Sequence, residues 1–208
     1  MRRSDELAER VVRLFQASIA LKQQVAETQA DTIVHMAQAI CGSVTHGGKV
    51  LLCGNGGSAA DAQHLAAEML VRLRPHVNRD ALPALALAVD TSSLTAWGND
   101  YEFDGYYARI AGALGRPGDV LVGISTSGRS LNIIHALQIA RRRQLVTLGL
   151  LGGDGGPALV ECDLAVVVPS TEVGRVQEVH IAAGHALIEL VEDLLLDDGY
   201  LTRTSGNP

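Results

Sequence analysis

The stretch Val50-Leu51-Leu52-Cys53-Gly54-Asn55-Gly56-Gly57-Ser58 joins a short apolar run to a turn of small residues, and an alanine-rich segment follows it. A second stretch, Val120-Leu121-Val122-Gly123-Ile124-Ser125-Thr126-Ser127-Gly128-Arg129-Ser130, repeats this order. Each turn is expected to direct several backbone N–H groups at one point, where the following helix adds the positive end of its dipole. Together they predict a phosphorylated small molecule held at the carboxyl edge of a parallel sheet.

Short aliphatic strands and helices alternate around these two turns. We expect strands at 49–53, 83–89, 119–124, 145–150 and 164–168. One helix is predicted to begin with Ser58 as its N-cap and Asp61 in its first turn. Further helices are predicted at 91–98, 103–113, 130–143 and 173–197. This alternation indicates an α/β fold with a parallel sheet that helices cover on both faces.

The N-terminal segment is predicted to form two helices, at 4–28 and 30–45, the first with a broad apolar stripe. No strand precedes them, so we expect them to pack against a neighbouring subunit or the back of the domain. We therefore divide the chain into an oligomerisation segment at 1–46, a domain at 47–198 and a flexible polar tail at 199–208.

Composition excludes several classes of function. The net charge of −6 argues against a nucleic-acid surface. The basic cluster Arg141-Arg142-Arg143 is predicted at a helix end, where the dipole favours cations. Three widely spaced cysteines fit a reduced cytoplasmic protein. No apolar run is long enough for a bilayer, and the charged N-terminus does not resemble a signal peptide. We expect neither nucleic acid nor membrane as a partner.

His64 and Glu68 are the first candidates for chemistry, because residues four apart share one face of a helix. An imidazole and a carboxylate beside a phosphate-binding turn can serve as metal ligands or as an acid and a base. A solvated pair on an exposed helix is the alternative.

The C-terminal helix carries polar residues on an otherwise apolar background: Gln177, Glu178, His180 and His185. Around the helix axis His185 lies about 80° from Gln177 and about 20° from Glu178, so helix geometry does not choose between them. A buried histidine is more often a hydrogen-bonded part of the core than a metal ligand. Each histidine taken singly is therefore a weak candidate for a functional site.

Three further positions have two interpretations each. Asn99-Asp100 forms a turn or orients a sugar hydroxyl, and the pattern alone favours the turn. Arg72 binds an anion or stabilises the end of the His64 helix by its charge. Arg129 contacts phosphate from the second turn or points to solvent.

The stretch from Cys53 to His64, with Glu68 after it, resembles the sugar isomerase (SIS) fold and, within it, the phosphoheptose isomerases. Three further segments match the sequence pattern of that family: Gly98-Asn99-Asp100, the turn from Gly123 to Gly128, and Arg175-Val176-Gln177-Glu178-Val179-His180 followed by His185. The resemblance reaches to about residue 197. It implies a three-layer α/β/α sandwich with a five-stranded parallel sheet, an SIS domain at 47–198, and a homotetramer with active sites between subunits.

The resemblance also assigns roles to residues. Glu68 and His185 would be the catalytic acid/base pair. One zinc ion per subunit would bind His64, Glu68, Gln177 and His185, which favours Gln177 over Glu178. Hydroxyl groups would hold the phosphate, and Asn55, Arg72, Asp100 and Gln177 would position the sugar chain. The substrate-binding residues implied are Asn55, Gly56, Gly57, Ser58, Arg72, Asn99, Asp100, Ser125, Thr126, Ser127, Ser130 and Gln177.

Two positions depart from the family pattern. Gly174 stands where some members carry an aspartate, and Arg129 stands where the family more often has a smaller or uncharged residue.

The implied reaction converts D-sedoheptulose 7-phosphate to D-glycero-D-manno-heptose 7-phosphate through a cis-enediol, the first step of nucleotide-activated heptose biosynthesis. The main alternative is a non-catalytic SIS tetramer of the DiaA type that binds a replication initiator. That group lacks the residues matching Glu68 and His185 and carries threonine at the position of Gly57. An isomerase for a pentose or hexose phosphate ranks next, above a regulatory sugar-phosphate sensor.

Overall fold

A five-stranded parallel sheet forms the centre of the protein. The computed structural model describes the backbone of residues 2–202 and the side chains of residues 4–202. The strands lie in the order β2-β1-β3-β4-β5, and every neighbouring pair is parallel. Their bounds are β1 (Val50–Gly54), β2 (Ala84–Ala86), β3 (Val120–Ser125), β4 (Val146–Gly152) and β5 (Leu164–Val168).

Helices cover both faces of this sheet, which confirms the predicted α/β/α sandwich. Their bounds are α1 (Arg2–Thr45), α2 (Gly57–Leu70), α3 (Thr91–Asp100), α4 (Tyr106–Leu114), α5 (Leu131–Arg142) and α6 (Val173–Asp197), with 3₁₀ helices at Phe103–Gly105 and Gly156–Glu161. One core joins α1, α2 and α6 to the sheet, and the other joins α4 and α5. Successive strand residues serve opposite cores: Val50 and Leu52 enter the first, and Leu51 and Cys53 enter the second.

The N-terminal segment is one continuous helix, so the prediction of two helices at 4–28 and 30–45 is wrong. No glycine or proline interrupts the chain between residues 28 and 30. Instead, the Gln29 side chain forms two hydrogen bonds with the backbone of Val167 at the edge strand β5. The later part of α1 packs on α6 and β5, that is, on the back of the sheet.

Other boundaries also differ from expectation. Strand β2 has three residues instead of seven, and it begins after Pro83, which lacks a backbone N–H. The turn expected at Asn99-Asp100 is wrong, because both residues belong to α3. The side chain of Asp90 caps α3 by accepting hydrogen bonds from Ser92 and Ser93. The helix expected at 103–113 begins as a 3₁₀ turn and becomes α-helical at Tyr106.

The C-terminal third of the chain tests the predictions for α5, α6 and the polar tail. Helix α6 has the predicted bounds, and Arg141 and Arg142 lie in the last turn of α5, as expected of cations at a helix end. Of the predicted tail at 199–208, residues 203–208 lie outside the described residues. Among the helices of the described chain, none combines the length and apolarity needed to cross a bilayer.

Candidate active site

The two phosphate-binding turns lie side by side at the carboxyl edge of the sheet. Strands β1 and β3 are neighbours, and Gly54 pairs with Ile124 at their ends. Because β2 flanks β1 on the other side, the chain reverses its direction of winding between β1 and β3. In open parallel sheets a ligand crevice lies outside the strand ends at such a reversal.

A pair of amides joins the two turns. Asn55 Nδ2 donates to Asn132 Oδ1 at 2.9 Å, and Asn132 Nδ2 donates to Asn55 Oδ1 at 2.8 Å. Asn132 is buried in α5 and was not singled out from the sequence, because its partner lies 77 residues away. Each amide keeps a second N–H, so Asn55 retains one donor for a ligand.

The first turn brings the N-terminus of α2 against α6. Gly56 adopts a φ of 56°, in the left-handed region that favours glycine. At Gly57 a Cβ atom would overlap the Gln177 side-chain amide. Helix α6 therefore places Gln177 at the first turn, and only glycine leaves room for it.

Ser58 is not the N-cap of α2, so that prediction is wrong. The cap position is Gly56, which has no side chain, and Ser58 lies buried in the first turn of the helix. The backbone N–H of Ser58 instead donates to the Asn55 carbonyl at 3.0 Å, and the helix cap lies two residues earlier than expected.

Hydroxyl groups and backbone donors converge in the second turn. Ser125 Oγ lies 3.3 Å from Ser130 Oγ and accepts a hydrogen bond from the Gly128 N–H. Gly128, at a φ of 62°, packs directly on the backbone of Gly155 and Gly156, where a side chain would collide. This loop borders a cavity of about 730 Å³, whose lining includes Thr126, Ser127, Arg129, Asp154 and Ser170.

His64, Glu68 and His185 meet within one chain. His64 Nε2 lies 2.8 Å from His185 Nε2 and 3.5 Å from Glu68 Oε1. The two rings approach edge-on, with centroids 5.1 Å apart. The His64 side chain is 46% exposed and that of Glu68 is 19% exposed, so a solvent-borne ligand can reach them. The side chains therefore form a cluster, which rules out an isolated helix-surface pair.

Asp61 is a further acidic group near this cluster. Burial raises the pKa of the Asp61 carboxyl, and the nearby His64 and His185 oppose the shift. Its Oδ2 atom is buried and has no hydrogen-bond partner within residues 4–202. The sequence suggested only a favourable charge at a helix start, since the position of His185 depends on tertiary packing.

The polar residues of α6 divide between the site and the core. Glu178 forms an ion pair with Arg175 at 2.6 Å, whereas Gln177 faces Gly57. His180 is fully buried, and burial lowers its pKa to about 4, an effect that the Leu151 backbone offsets only in part. This arrangement favours Gln177 over Glu178 at the site and places His180 in the core.

Three predicted substrate-binding residues form no hydrogen bond or ion pair with the cluster in the described part of the chain. Asn99 and Asp100 are exposed on α3, where Asn99 Nδ2 donates to Asp100 Oδ1 at 2.8 Å. Arg72 follows the end of α2 and forms no ion pair within residues 4–202. The carbonyls of Glu68 and Met69 at the end of α2 accept hydrogen bonds from the buried guanidinium of Arg79, and a stabilising effect of the Arg72 charge on this helix end stays a prediction.

Comparison with known proteins gives the family. The SIS domain model matches residues 13–152. A phosphoheptose isomerase from Chlorobaculum parvum is 58% identical over 179 residues, 86% of each chain. The chain belongs to the phosphoheptose isomerase family.

Solved structures agree with this assignment. The phosphoheptose isomerase from Neisseria gonorrhoeae matches with a TM-score of 0.84 at 43% identity, over 90% of this chain and 99% of that one. That from Francisella tularensis matches with a TM-score of 0.85 at 34% identity, over 89% and 98%. Nothing in these comparisons favours a replication factor of the DiaA type.

The two departures from the phosphoheptose isomerase pattern have different surroundings. Arg129 forms an exposed ion pair with Asp154 at 2.9 Å, so it is engaged outside the turn. A Cβ atom at Gly174 would meet no atom within 4 Å. The first departure adds a contact between two loops, and the second leaves open space at the start of α6.

The donor types at the cluster fit the zinc that the phosphoheptose isomerase resemblance implies. Two imidazole nitrogens and a carboxylate oxygen converge, and these are groups that bind zinc in proteins. Within the described part of the chain, no three His, Cys, Asp or Glu side chains already stand at metal-ligand spacing. The 2.8 Å contact between His64 and His185 is that of a hydrogen bond, which a metal ion would have to replace.

Proposed function

We propose that this enzyme converts D-sedoheptulose 7-phosphate to D-glycero-D-manno-heptose 7-phosphate, the first step of nucleotide-activated heptose biosynthesis. The observation that carries the proposal is the convergence of Glu68 and His185 on one atom, His64 Nε2, on helices that also border the first phosphate-binding turn. The phosphoheptose isomerase relatives support the same substrate class.

The chemistry needs a base, an acid and an anchored substrate. A base takes a proton from C1 of the ketose while an acid protonates O2, which gives the cis-enediol. Removal of the O1 proton and protonation of C2 then yield the aldose. We assign these transfers to Glu68 and His185, a carboxylate and an imidazole, which are side-chain types that commonly transfer protons in catalysis.

The remaining residues would bind and orient the substrate. Ser58 and the hydroxyls of Ser125, Thr126, Ser127 and Ser130 would hold the phosphate, together with the backbone donors of the two turns. Gln177 and the free N–H of Asn55 would contact the sugar chain near the first turn. Anchoring the phosphate away from the reacting carbons supplies binding energy that orients them.

We further propose a zinc site formed by His64, Glu68, Gln177 and His185, with one ion per subunit. A bound zinc ion would supply Lewis-acid polarisation of substrate oxygens. Metal analysis of purified protein is expected to show about one zinc per chain, and His64→Ala should remove it. Zinc retained by His64→Ala would contradict this ligand set.

We also propose a homotetramer, with active sites between subunits, in the cytoplasm. Exposed apolar residues on the first half of α1 support an oligomer. An intersubunit site would also bring Arg72, Asn99 and Asp100 to a neighbour's cluster. Three free cysteines support a reducing compartment.

The decisive experiment is turnover of sedoheptulose 7-phosphate by the purified enzyme and two variants. Glu68→Gln and His185→Ala are expected to lose at least about 100-fold in kcat, the size typical of a lost acid or base. Glu189→Gln is the matched control, because Glu189 is exposed on α6. Near-normal rates in both active-site variants would refute the assigned roles, and no turnover by the wild type would favour the DiaA-type alternative.

A further inference from the structure

A buried ion pair links the helix that carries Glu68 to the helix that carries His185. Arg79 Nε donates to Glu192 Oε1 at 2.7 Å, and neither side chain is exposed to solvent. Arg79 lies in the loop after α2, and Glu192 lies on α6 seven residues beyond His185. Seven residues are close to two helical turns, so Glu192 and His185 share one face of α6.

The guanidinium of Arg79 also binds the end of α2. Its Nη2 donates to the Glu68 carbonyl at 2.9 Å, and its Nη1 donates to the Met69 carbonyl at 2.8 Å. These carbonyls belong to the last turn of the helix, where they lack intrahelical partners. One rigid, planar side chain therefore contacts the backbone of the proposed catalytic residue Glu68 and a carboxylate on the helix of His185.

The two helices are also in close contact near the cluster. At Gly184, next to His185, a Cβ atom would overlap the side chain of Leu65, which lies between His64 and Glu68 on α2. The close packing at Gly184 sets the distance between the helices at one point. The Arg79–Glu192 pair provides a second contact further along both helices, and two separate contacts oppose sliding or rotation of α2 against α6.

We propose that Arg79, acting through Glu192, is a positioning residue that holds Glu68 and His185 in the geometry for proton transfer. This inference rests on the proposed function, in which those two residues are the acid and base. A shift of about 1 Å between reacting groups can cost about 100-fold in rate. The two phosphate-binding turns lie at the ends of β1 and β3 and form no hydrogen bond with the Arg79 side chain in the described part of the chain, so substrate binding should be little affected.

Arg74 offers a matched control within the same network. Arg74 Nε donates to Glu192 Oε2 at 2.8 Å, and its Nη2 binds Asp193 at 2.6 Å. Within the residues that the structure describes, the side-chain hydrogen bonds of Arg74 go to carboxylates of α6, and none goes to the backbone of α2. Arg74→Met therefore removes a guanidinium from the same carboxylate without releasing the end of α2.

The experiment compares Arg79→Met/Glu192→Met with Arg74→Met in the full-length enzyme. Replacing both members of a buried ion pair with apolar residues of similar volume commonly preserves stability. We expect the double variant to fold, to lose about 10- to 100-fold in kcat and to keep its KM for sedoheptulose 7-phosphate within about twofold. Arg74→Met should keep kcat within about threefold of the wild type.

A second readout does not depend on turnover. In a crystal structure of the metal-free double variant, the distance from His64 Nε2 to His185 Nε2 is expected to exceed the 2.8 Å seen here, whereas Arg74→Met should retain it. If the double variant does not fold, Arg79→Lys decides, since it keeps the buried charge but lacks the guanidinium fork, and it should lose kcat in the same direction.

The positioning role would be overturned if a folded double variant, or Arg79→Lys, kept the wild-type kcat. It would also be overturned if Arg79→Met/Glu192→Met and Arg74→Met lost kcat equally. If the wild-type enzyme does not turn over sedoheptulose 7-phosphate, the proposed function is overturned instead. The distance between His64 and His185 in the variants would still test whether Arg79 holds the two helices in place.

Discussion

The hydrogen bond between His64 and His185 requires one hydrogen atom between the two facing ring nitrogens. At 2.8 Å, one Nε2 must carry the hydrogen and the other must accept it, so the two neutral rings are different tautomers. A second proton at the pair would put two N–H groups face to face. The pair can therefore hold one proton between its facing atoms, or present two nitrogen lone pairs to a cation. The first state suits proton transfer, and the second suits a metal-binding site.

His180 gives a pH dependence of stability that is separate from catalysis. Burial lowers its pKa from 6.5 to about 4, so below pH 6.5 the unfolded chain binds a proton that the folded chain excludes. The contribution of His180 to stability is complete above pH 6.5 and is lost as the pH falls toward 4. His180→Gln should remove this loss, which amounts to about 3 kcal/mol between pH 7 and pH 4.

Urea unfolding at several pH values measures this effect. The wild type should lose more free energy of unfolding than His180→Gln as the pH falls. His76→Gln, at an exposed histidine, should follow the wild-type curve. Parallel curves for wild type and His180→Gln would show that His180 titrates normally in the folded protein.

Gly57 tests the placement of Gln177. In Gly57→Ala the new methyl group would overlap the Gln177 amide and displace it from the first turn. Alanine is otherwise favourable in a helix, so the fold should be retained while kcat/KM falls about tenfold. Gly174→Ala is the control, because the same methyl group meets open space at the start of α6.

Steady-state kinetics and thermal unfolding of both alanine variants provide the comparison. If Gly57→Ala keeps the kcat/KM of Gly174→Ala, then Gln177 does not need its position against the first turn, and its proposed contact with the sugar chain is wrong.

At the scale of elements, the amide pair between Asn55 and Asn132 ties the first turn to the start of α5. Asn132→Ala would leave the Asn55 amide without its partner in a site where Asn132 is buried. A typical hydrogen bond contributes about 0.5–1.5 kcal/mol, so we expect the loss of these two to cost about 1–3 kcal/mol together with a lower kcat/KM.

Gln138→Ala is the control for this variant. Gln138 lies in the same helix and donates one hydrogen bond to Glu161, at a half-buried position that joins no phosphate-binding turn. It should change kcat/KM little. Unchanged stability and kinetics in Asn132→Ala would show that the two turns hold their geometry without the amide pair.

The elements differ in how far the sequence predicts them. The parallel sheet, both turns and α6 follow local patterns, since strand length, glycine placement and helical period are all visible within a few residues. The roles of Asn132, Arg79 and Asp61 depend on partners far along the chain, such as Glu192, 113 residues after Arg79. Local patterns carry no information about such partners.

The errors have the same physical origin. The break predicted at residue 29 ignored that Gln29 has a partner on β5, where its amide completes the sheet edge. Asn99-Asp100 has the composition of a turn, yet both residues lie in the last turn of α3, a helix whose start is capped by the Asp90 side chain. In each case a contact outside the local window outweighed the local preference.

At the scale of the whole molecule, residues 4–17 in the first half of α1 are exposed, although Arg175 Nη1 donates a hydrogen bond to the Leu14 carbonyl at 2.6 Å. A helix of 44 residues is about 66 Å long, and its later half already packs on the sheet. The first half exposes large apolar side chains at 41% to 67% of their surface: Leu7, Val11, Val12, Leu14, Phe15 and Ile19. A contiguous exposed apolar stripe of this kind marks a protein interface.

We therefore expect the wild type to be a tetramer of 21.9 kDa chains, and Val11→Asp/Phe15→Asp to dissociate it. Two carboxylates in an apolar interface lose hydration without a partner charge, which makes assembly unfavourable. If the active sites lie between subunits, kcat per chain should fall together with the tetramer fraction. Light scattering after size-exclusion chromatography measures the mass, and the isomerase assay on the same fractions measures kcat.

Ala17→Asp/Ala20→Asp is the matched control, since both alanines are exposed on α1 and lie away from the stripe formed by Val11 and Phe15. It adds the same charge to the same helix and should remain tetrameric and active. A monomeric wild type, or a Val11→Asp/Phe15→Asp variant that stays tetrameric, would show that this stripe is not the interface. A dissociated variant with full kcat would show instead that each chain carries a complete active site.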